Sequence, residues 1–360
     1  MDNLKKLGLS ALAGSLVAFS ANAGELSVSG GAKLSYVGDS GNEDNAVDGN
    51  RFGMQRLVTM SGSGELDNGM TVSLTHTFAT STGAGSTSVI TLDMGSMGTL
   101  GYGQDSYQVG ISKIDDIVPT AVEEVSDGIA LNATESASGA AIAGNTYEVD
   151  LGGNGFNYSL AMGDMATIVL GVSPGGQDSL NDDGENSGTR DGDGSDKSAH
   201  IVLNPMDGLT IVAGTGEKVN GNNMDDLETI GVKYTMGPIS AGIQVSDIDL
   251  EAANSGQNGD SETTIIGVAF AVNDALSISY GEQETEIDGQ SLDQEIEGFS
   301  IGYSMGGMTF QAHSNEGKNL GGAASNVSEH TELTVSFADK SMDASESNVP
   351  PSVKLPAALI

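Results

Sequence analysis

Apolar and small polar residues alternate along most of this chain, in short runs that tight turns join in pairs. Residues 295–314, EIEGFSIGYSMGGMTFQAHS, illustrate the pattern: Phe299 and Ile301 share one parity, and Ser300 and Gly302 share the other. Because successive strand side chains point to opposite faces, one face is apolar and the other carries hydroxyls, amides and glycines. A soluble sandwich would usually carry Lys and Glu on its outer face, whereas this polar face is nearly uncharged. The pattern predicts a transmembrane β-barrel with a watery interior.

Parity and turn signals together predict an all-β fold of sixteen antiparallel strands, and a barrel of that size encloses an aqueous channel. Every second connection is a tight turn rich in Gly, Asn or Pro, and the connections between them are mostly longer and acidic. Short periplasmic turns and long external loops are typical of outer-membrane barrels. The predicted strands are 25–37, 51–66, 70–79, 87–94, 97–104, 145–151, 156–173, 198–204, 209–217, 228–236, 239–248, 263–272, 275–284, 295–305, 308–314 and 330–338.

The polar parity predicts which side chains line the channel. They are mostly Ser, Thr and Gln, and an interior of that composition does not pack dry. The predicted lining includes Ser27, Ser29, Lys33 and Ser35 on the first strand, Thr71, Ser73, Thr75 and Thr77 on the third, Ser240, Gly242, Gln244 and Ser246 on the eleventh, and Ser277, Ser279 and Gln283 on the thirteenth.

Residues 1–23 have the pattern of a secretory signal peptide. Lys5 and Lys6 precede the apolar run Leu7–Phe19, and Ala21-Asn22-Ala23 supplies an A-x-A cleavage site. No other segment approaches the roughly 20 apolar residues that a membrane helix needs. We therefore expect export through a cleaved signal peptide and a barrel over 24–338. Residues 339–360 carry three prolines and no strand pattern, which predicts a disordered tail.

The chain is strongly acidic, with 50 Asp and Glu against 13 Lys and Arg and a formal net charge of −37. This balance excludes nucleic acid and anionic surfaces as partners, and its potential attracts cations. Alternatively, the acidic loops only keep an exposed surface soluble in a salty medium. Both interpretations are compatible with each other.

One connection, at 105–144, is much longer than the others. Loops of this length without structure of their own are usually functional or disordered. Apolar residues that a solvated loop would not need favour a loop folded into the barrel, and Pro119 is placed to turn the chain back. These apolar residues are Ile111, Ile114, Ile117, Val118, Val122 and Val125.

Four segments together resemble the general porins of alphaproteobacteria: ELSVSGGAKLSYVG, ELDNGMTVSL, GFSIGYSMGGMTF and TELTVSF. The resemblance covers about 24–338. It implies sixteen strands, a homotrimer in outer-membrane lipid, and a loop after the fifth strand that narrows the pore. Eyelets of this family set acidic loop residues against basic wall residues. Carried over, the acids come from Asp105, Asp115, Asp116, Glu123, Glu124 and Asp127, and the bases from Lys33, Arg51, Arg56 and Lys233.

The chain departs from that family at two places. Arg56 shares parity with Val58 and Met60, so strict alternation sends it to lipid, where a charge costs about 2–4 kcal/mol at the midplane. A bulge or a rim position would be needed to bring it into the pore. Porins of this kind also usually end at an aromatic residue that closes the last strand, whereas this chain continues through 339–360.

Signals for enzymatic chemistry are weak. Gly171–Gly175 matches G-x-S-x-G, but that motif requires a strand-to-helix turn and an acidic, glycine-rich stretch follows here. His76, His200, His313 and His330 are widely spaced and favour ordinary strand positions. A membrane-embedded hydrolase would need a Ser–His pair on the outer surface. His76 has the outward parity, yet the sequence offers no evident serine partner, so we expect no enzyme.

Residues 178–196 raise the alternative of bound calcium. Asp191, Asp193 and Asp196 alternate with glycines as in calcium loops, but the bidentate glutamate at position twelve is missing, which favours a solvated acidic loop and no cofactor. A calcium-dependent secreted adhesin or surface-layer protein is the competing function. The paired rhythm of short turns and long loops favours a channel instead, one for passive diffusion of small hydrophilic solutes and ions with a preference for cations.

Overall fold

A computed structural model describes residues 27–41, 51–79, 87–105, 107–129, 149, 151, 154–174, 194–220, 223–251 and 260–338. Within these ranges the chain forms a closed barrel of sixteen antiparallel strands, in which every strand pairs with its neighbours in sequence and the last strand pairs with the first. The predicted fold class is confirmed. Helical structure in the described part consists of three short 3-10 turns, none of them long or apolar enough to cross a membrane.

The strands are numbered β1 to β16 in chain order. They are β1 Ser27–Gly41, β2 Phe52–Glu65, β3 Thr71–Ala79, β4 Thr87–Asp93, β5 Thr99–Asp105, β6 Gly155–Met162, β7 Ala166–Ser173, β8 Asp196–Met206, β9 Leu209–Asn220, β10 Asn223–Met236, β11 Ile239–Asp249, β12 Ser261–Asn273, β13 Leu276–Ile287, β14 Gln294–Met305, β15 Met308–Lys318 and β16 Val327–Ala338.

Large apolar side chains cover the outside of the barrel. Phe52, with 61% of its surface exposed, and Met54 lie on the outward parity of β2, as Phe299 and Ile301 do on β14. A contiguous apolar surface of this extent marks a face that contacts lipid or another protein. Tyr280 lies at one border of this band, because its hydroxyl hydrogen-bonds to Glu282 at 2.7 Å and the outward residues beyond it are glutamates. The outward parity therefore changes from apolar to acidic where the strands leave the bilayer.

Hydroxyl groups pair across neighbouring strands on the inner face. Thr59 and Thr77 lie 3.0 Å apart, as measured between their Oγ1 atoms, on β2 and β3. The Oγ atoms of Ser279 and Ser300 lie 2.6 Å apart on β13 and β14. Such cross-strand pairs stabilise a sheet and satisfy side-chain donors without charge.

The sixth and seventh strands differ from the prediction. Residues 156–173 do not form one strand but a hairpin, β6 and β7, which turns at Gly163 with φ of 64°. Val149 and Leu151, predicted to lie in a strand, are buried outside any strand. Both pack with inner residues of the barrel, and the backbone N–H of Leu151 donates to Ser112 Oγ at 2.9 Å. The predicted strand over 145–151 is therefore wrong at these two residues.

The hairpin of β9 and β10 is longer than predicted. The sequence predicts an acidic connection over 218–227, yet residues 218–220 continue β9 and residues 223–227 belong to β10, and Lys218 pairs with Asp225. Charged side chains cost little where a strand projects beyond the bilayer, so the antiparallel ladder continues through them. Acidity alone is consequently a poor sign of a loop in this protein.

Cysteine substitutions on β3 test which residues face into the barrel and which face outward. A cysteine at Thr75, which points inward and is partly exposed, should react with a membrane-impermeant thiol reagent that enters the pore. A cysteine at the neighbouring Leu74, which points outward and is 50% exposed, should not react in a membrane. Mass spectrometry of the labelled protein measures both. Equal labelling at the two positions would contradict the assignment of inner and outer faces.

Candidate pore constriction

Residues 107–129, which follow β5, lie inside the barrel, where their apolar side chains pack against the wall. The residues predicted to hold this segment there are buried, and Ile111 has no exposed surface. All of them except Val122 join two clusters with wall residues that interrupt the polar inner face. The first cluster contains Ile111, Ile114, Ile117, Val149, Leu151, Val212 and Leu227, and the second contains Val118, Val125, Ile129, Ile265, Ile296 and Leu320. We call residues 107–129 the inner loop.

Gln244 on β11 holds the middle of the inner loop. Its Oε1 atom accepts a hydrogen bond from the backbone N–H of Ile117 at 2.8 Å. Its Nε2 atom donates to the carbonyls of Ile114 and Asp115, each at 2.7 Å. Gln244 is fully buried, so each of these bonds satisfies a group that has no water partner.

Other inward polar side chains bind the inner loop in the same way along its length. Each presents a hydroxyl or an amide to the loop backbone, which replaces the partners that the irregular chain lacks. Asn157 accepts from Gly110 N at 2.6 Å, Ser198 accepts from Ile111 N at 2.9 Å, Ser279 accepts from Ala121 N at 2.8 Å, and Asn315 donates to the carbonyl of Asp127 at 2.8 Å.

Glycines form the floor beneath the inner loop. Gly242, Gly267, Gly281 and Gly298 lie directly opposite one another on β11 to β14. A Cβ atom at Gly267 would lie 2.5 Å from Val118 Cγ1, and one at Gly242 would lie 2.8 Å from Pro119 Cδ. The absence of side chains along this row makes space for the inner loop.

The inner loop covers one part of the wall and leaves another part open. Gln244 and Gln283, on covered strands, have 0% and 2% of their surface exposed. Inward residues of β2 and β3, such as Gln55 and Thr75, keep contact with the lumen. Among the described residues, the passage therefore lies between the inner loop and the wall that begins at β1.

Two of the predicted acids border this passage. Glu123 lies 3.7 Å from Lys33 Nζ on β1, and both side chains are about 30% exposed. Burial raises the pKa of Glu123, and Lys33 opposes that shift. Burial also opposes ionisation of Asp127, but His313, His330 and Lys33 together outweigh burial and hold the pKa of that carboxyl below its ordinary value.

The other predicted acids lie elsewhere. Asp116 is 2% exposed and accepts a hydrogen bond from Val118 N at 2.6 Å, so it stabilises the loop from behind and does not border the passage. Burial raises the pKa of Asp116 to about 7. Asp115 accepts from Asp116 N at 2.9 Å, Glu124 is partly exposed, and Asp105 ends β5.

The predicted basic residues also lie in different parts of the barrel. Lys33 and Lys233 point inward, and Lys233 lies near enough to Asp116 to interact with it electrostatically. Arg51 precedes β2 at its loop end, where its carbonyl accepts from Val37 N at 2.9 Å. Arg56 follows strict alternation and lies outside with Met54 and Val58. Arg56 pairs with Ala32 in a regular register, without a bulge that would turn its side chain inward. The prediction of Arg56 in the pore wall is therefore wrong.

Sequence reasoning missed three wall residues at the passage. Glu332 on β16 lies 3.4 Å from Lys33 Nζ. His313 and His330 point inward beside it and are 4% and 7% exposed. Parity already assigns all three to the inner face, but their meeting depends on the register of β15 with β16 and on the position of the inner loop.

Some of the residues considered for enzymatic activity or calcium binding lie in the described part of the chain. His76 Nδ1 lies 2.6 Å from Ser88 Oγ on the outer face, a partner that sequence reasoning missed. In the described part of the chain no carboxylate binds the second nitrogen of His76, so a catalytic triad is not formed there. Ser173 ends β7 and donates to the carbonyl of Asn154. Asp196 begins β8 and accepts from Val219 N at 2.8 Å, and Asp191 and Asp193 lie outside the described residues.

Comparison with known proteins agrees with this geometry. The model of the Gram-negative porin family matches residues 8–341. The chain belongs to this family. It is thus an integral outer-membrane channel protein, and the competing prediction of an adhesin is not supported. No curated protein sequence matches it significantly.

Solved porins share the fold at low identity. A refined porin structure is 15% identical, with a TM-score of 0.62 over 88% of this chain and 100% of that one. An anion-selective porin from Comamonas acidovorans is 12% identical, with a TM-score of 0.58 over 88% and 99%. The trimer form of OmpT from Vibrio cholerae is 10% identical, with a TM-score of 0.57 over 87% and 99%.

The glycine floor makes a prediction with a matched control. Gly267→Ala should displace the inner loop, because the added Cβ meets the stiff Val118, and overpacking of this kind typically costs about 1–3 kcal/mol. Single-channel recordings should then show noisier or larger currents. Gly281→Ala places its Cβ 3.3 Å from Ile266 O and 3.5 Å from Val125 Cβ, and should behave nearly as wild type. Identical recordings from all three proteins would show that the loop does not depend on this row.

Proposed function

We propose that this porin forms a water-filled pore for passive diffusion of small hydrophilic solutes and ions, with a preference for cations. The observation that supports the proposal is the contact of two inner-loop acids with the wall, Glu123 with Lys33 and Asp127 with His313. A fixed charge at the narrow part of a pore enriches ions of opposite sign within the Debye length of about 8–10 Å.

Carboxylates predominate at the passage. Those of Glu123, Asp127 and Glu332 outnumber the single ammonium group of Lys33. The excess of acidic residues over the whole chain adds to the same potential. The porin from Comamonas acidovorans has the same fold and is anion-selective, so fold alone does not set the sign of selectivity. The charges at the passage set the sign of selectivity.

We propose that three such barrels associate in outer-membrane lipid, as the Vibrio cholerae porin does in its trimer form. The outward face of β2 to β4 supports this assembly. It carries Arg56, His76 and Ser88 among apolar side chains, and polar groups are costly against lipid but not at a subunit interface. The signal peptide at 1–23, the disordered tail at 339–360 and calcium binding by Asp191, Asp193 and Asp196 remain predictions.

Ion selectivity is the first test of this function. Reversal potentials across planar bilayers in a salt gradient should show cation preference that weakens toward molar salt. Glu123→Gln should lower the cation-to-anion permeability ratio about 1.4- to 5-fold, since one partly exposed charge contributes about 0.2–1 kcal/mol. Glu297→Gln removes the same charge from the outer face, where its side chain is 47% exposed, and serves as the control. Anion preference in the wild type would refute the proposal.

The inner loop provides the second test. Deleting 112–126 should raise single-channel conductance and admit larger solutes in a liposome swelling assay, because the deletion removes the segment that fills the barrel. Heat-modifiable migration on detergent gels checks that the shortened protein is a folded barrel. An unchanged conductance and size cutoff in a folded barrel would place the constriction elsewhere.

A further inference from the structure

Four side chains with metal-binding atoms converge beside the passage. They are Asp127 of the inner loop, His313 on β15, and His330 and Glu332 on β16. One nitrogen or oxygen atom from each lies within 4.8 Å of the corresponding atoms of the other three. The cluster therefore draws on three separate elements, and it unites the loop with the wall.

A hydrogen bond from the neighbouring strand orients His330. Its Nδ1 atom lies 2.6 Å from Asp39 Oδ1 on β1, directly across the strand pair. A carboxylate only accepts hydrogen bonds, so Nδ1 carries the proton and Nε2 keeps its lone pair. His330 is 7% exposed, and its Nε2 has no hydrogen-bond partner among the described residues. A carboxylate behind a histidine is the usual way in which proteins fix a metal-binding imidazole.

His313 completes a pair of buried imidazoles. It is 4% exposed, and its Nε2 lies 3.1 Å from Asp127 Oδ2. The rings of His313 and His330 stack with their centroids 5.2 Å apart. Two imidazoles held this close can bind one shared cation.

We propose that Asp127, His313, His330 and Glu332 form a binding site for a divalent transition-metal ion of the Zn²⁺ class. Two imidazoles and two carboxylates match the ligand preference of zinc, whereas Ca²⁺ and Mg²⁺ prefer sites made of oxygen alone. Tetrahedral coordination at bond lengths of 2.0–2.1 Å sets ligand atoms about 3.3 Å apart, so the cluster closes by roughly 1.5 Å at most when it binds. The side chain of Asp127 is 41% exposed, so a change of its rotamer can supply part of this closure while the loop backbone stays in place.

Metal binding at this place acts on the pore. It draws Glu332 away from Lys33, places two positive charges near Glu123, and ties the inner loop to the wall. The bound ion therefore opposes the entry of other cations. This inference goes beyond the proposed diffusion function, because binding itself does not require conduction.

Isothermal titration calorimetry on the untagged, folded protein in detergent tests the site directly. Wild type should bind one Zn²⁺ per chain, and His313→Gln and His330→Gln should each weaken binding at least about tenfold. Asp39→Asn should weaken it about 10- to 100-fold, as second-layer changes at metal sites do. His76→Gln removes a histidine from the outer face and should leave the affinity unchanged. Equal affinity in all five proteins would overturn the proposal.

Spectroscopy keeps the test independent of whether the variants fold. Zinc K-edge X-ray absorption of the loaded wild type should show a first shell of nitrogen and oxygen with the scattering signature of two imidazoles. A shell without imidazole would overturn the proposal. Zn²⁺ should also reduce the cation current across a bilayer at concentrations at which Mg²⁺ does not. Equal reduction by both ions would mean charge screening and would refute a specific effect on the pore.

Discussion

The pairing of β1 with β16 is the constraint on which the rest of the structure depends. A bilayer offers no hydrogen-bond partners to backbone groups, so a spanning sheet must leave no edge. The continuous register from Gly31 and Ala338 to Gly41 and Ser328 removes that edge. It also places Asp39 opposite His330 and brings β1, with Lys33, next to Glu332. The contact that closes the barrel thus also assembles the polar groups beside the passage.

Inside the closed wall, the inner loop depends on two features of the strands that it covers. Buried amides and hydroxyls, above all Gln244, supply hydrogen bonds to a backbone that lies away from water. Glycines supply space, and inward apolar residues such as Val212 and Ile265 supply contact. The uncovered strands lack this combination and carry hydroxyls suited to water. A single barrel therefore has an inner face of two kinds, one built to bind a loop and one built to pass solutes.

Much of this followed from the sequence, for physical reasons that differ between elements. The period of two set the strands and their faces, including the outward position of Arg56, because lipid and water impose opposite preferences on alternate residues. The same signal failed at Val149 and Leu151, since residues buried by packing inside the barrel can be apolar without lying in a strand. The meeting of Asp127 with His313 and His330 was out of reach of the sequence, because it depends on strand register and on the path of the loop together.

The row formed by Gly242, Gly267, Gly281 and Gly298 has a consequence for how porins of this kind are redesigned. The inner loop fits a strip of wall that four separate strands leave bare, so the loop and its floor are one unit dispersed through the sequence. A loop transplanted from another porin would bring side chains shaped for a different floor. To exchange pore properties between relatives, the wall strip must therefore be transferred together with the loop, although the two are far apart in the chain.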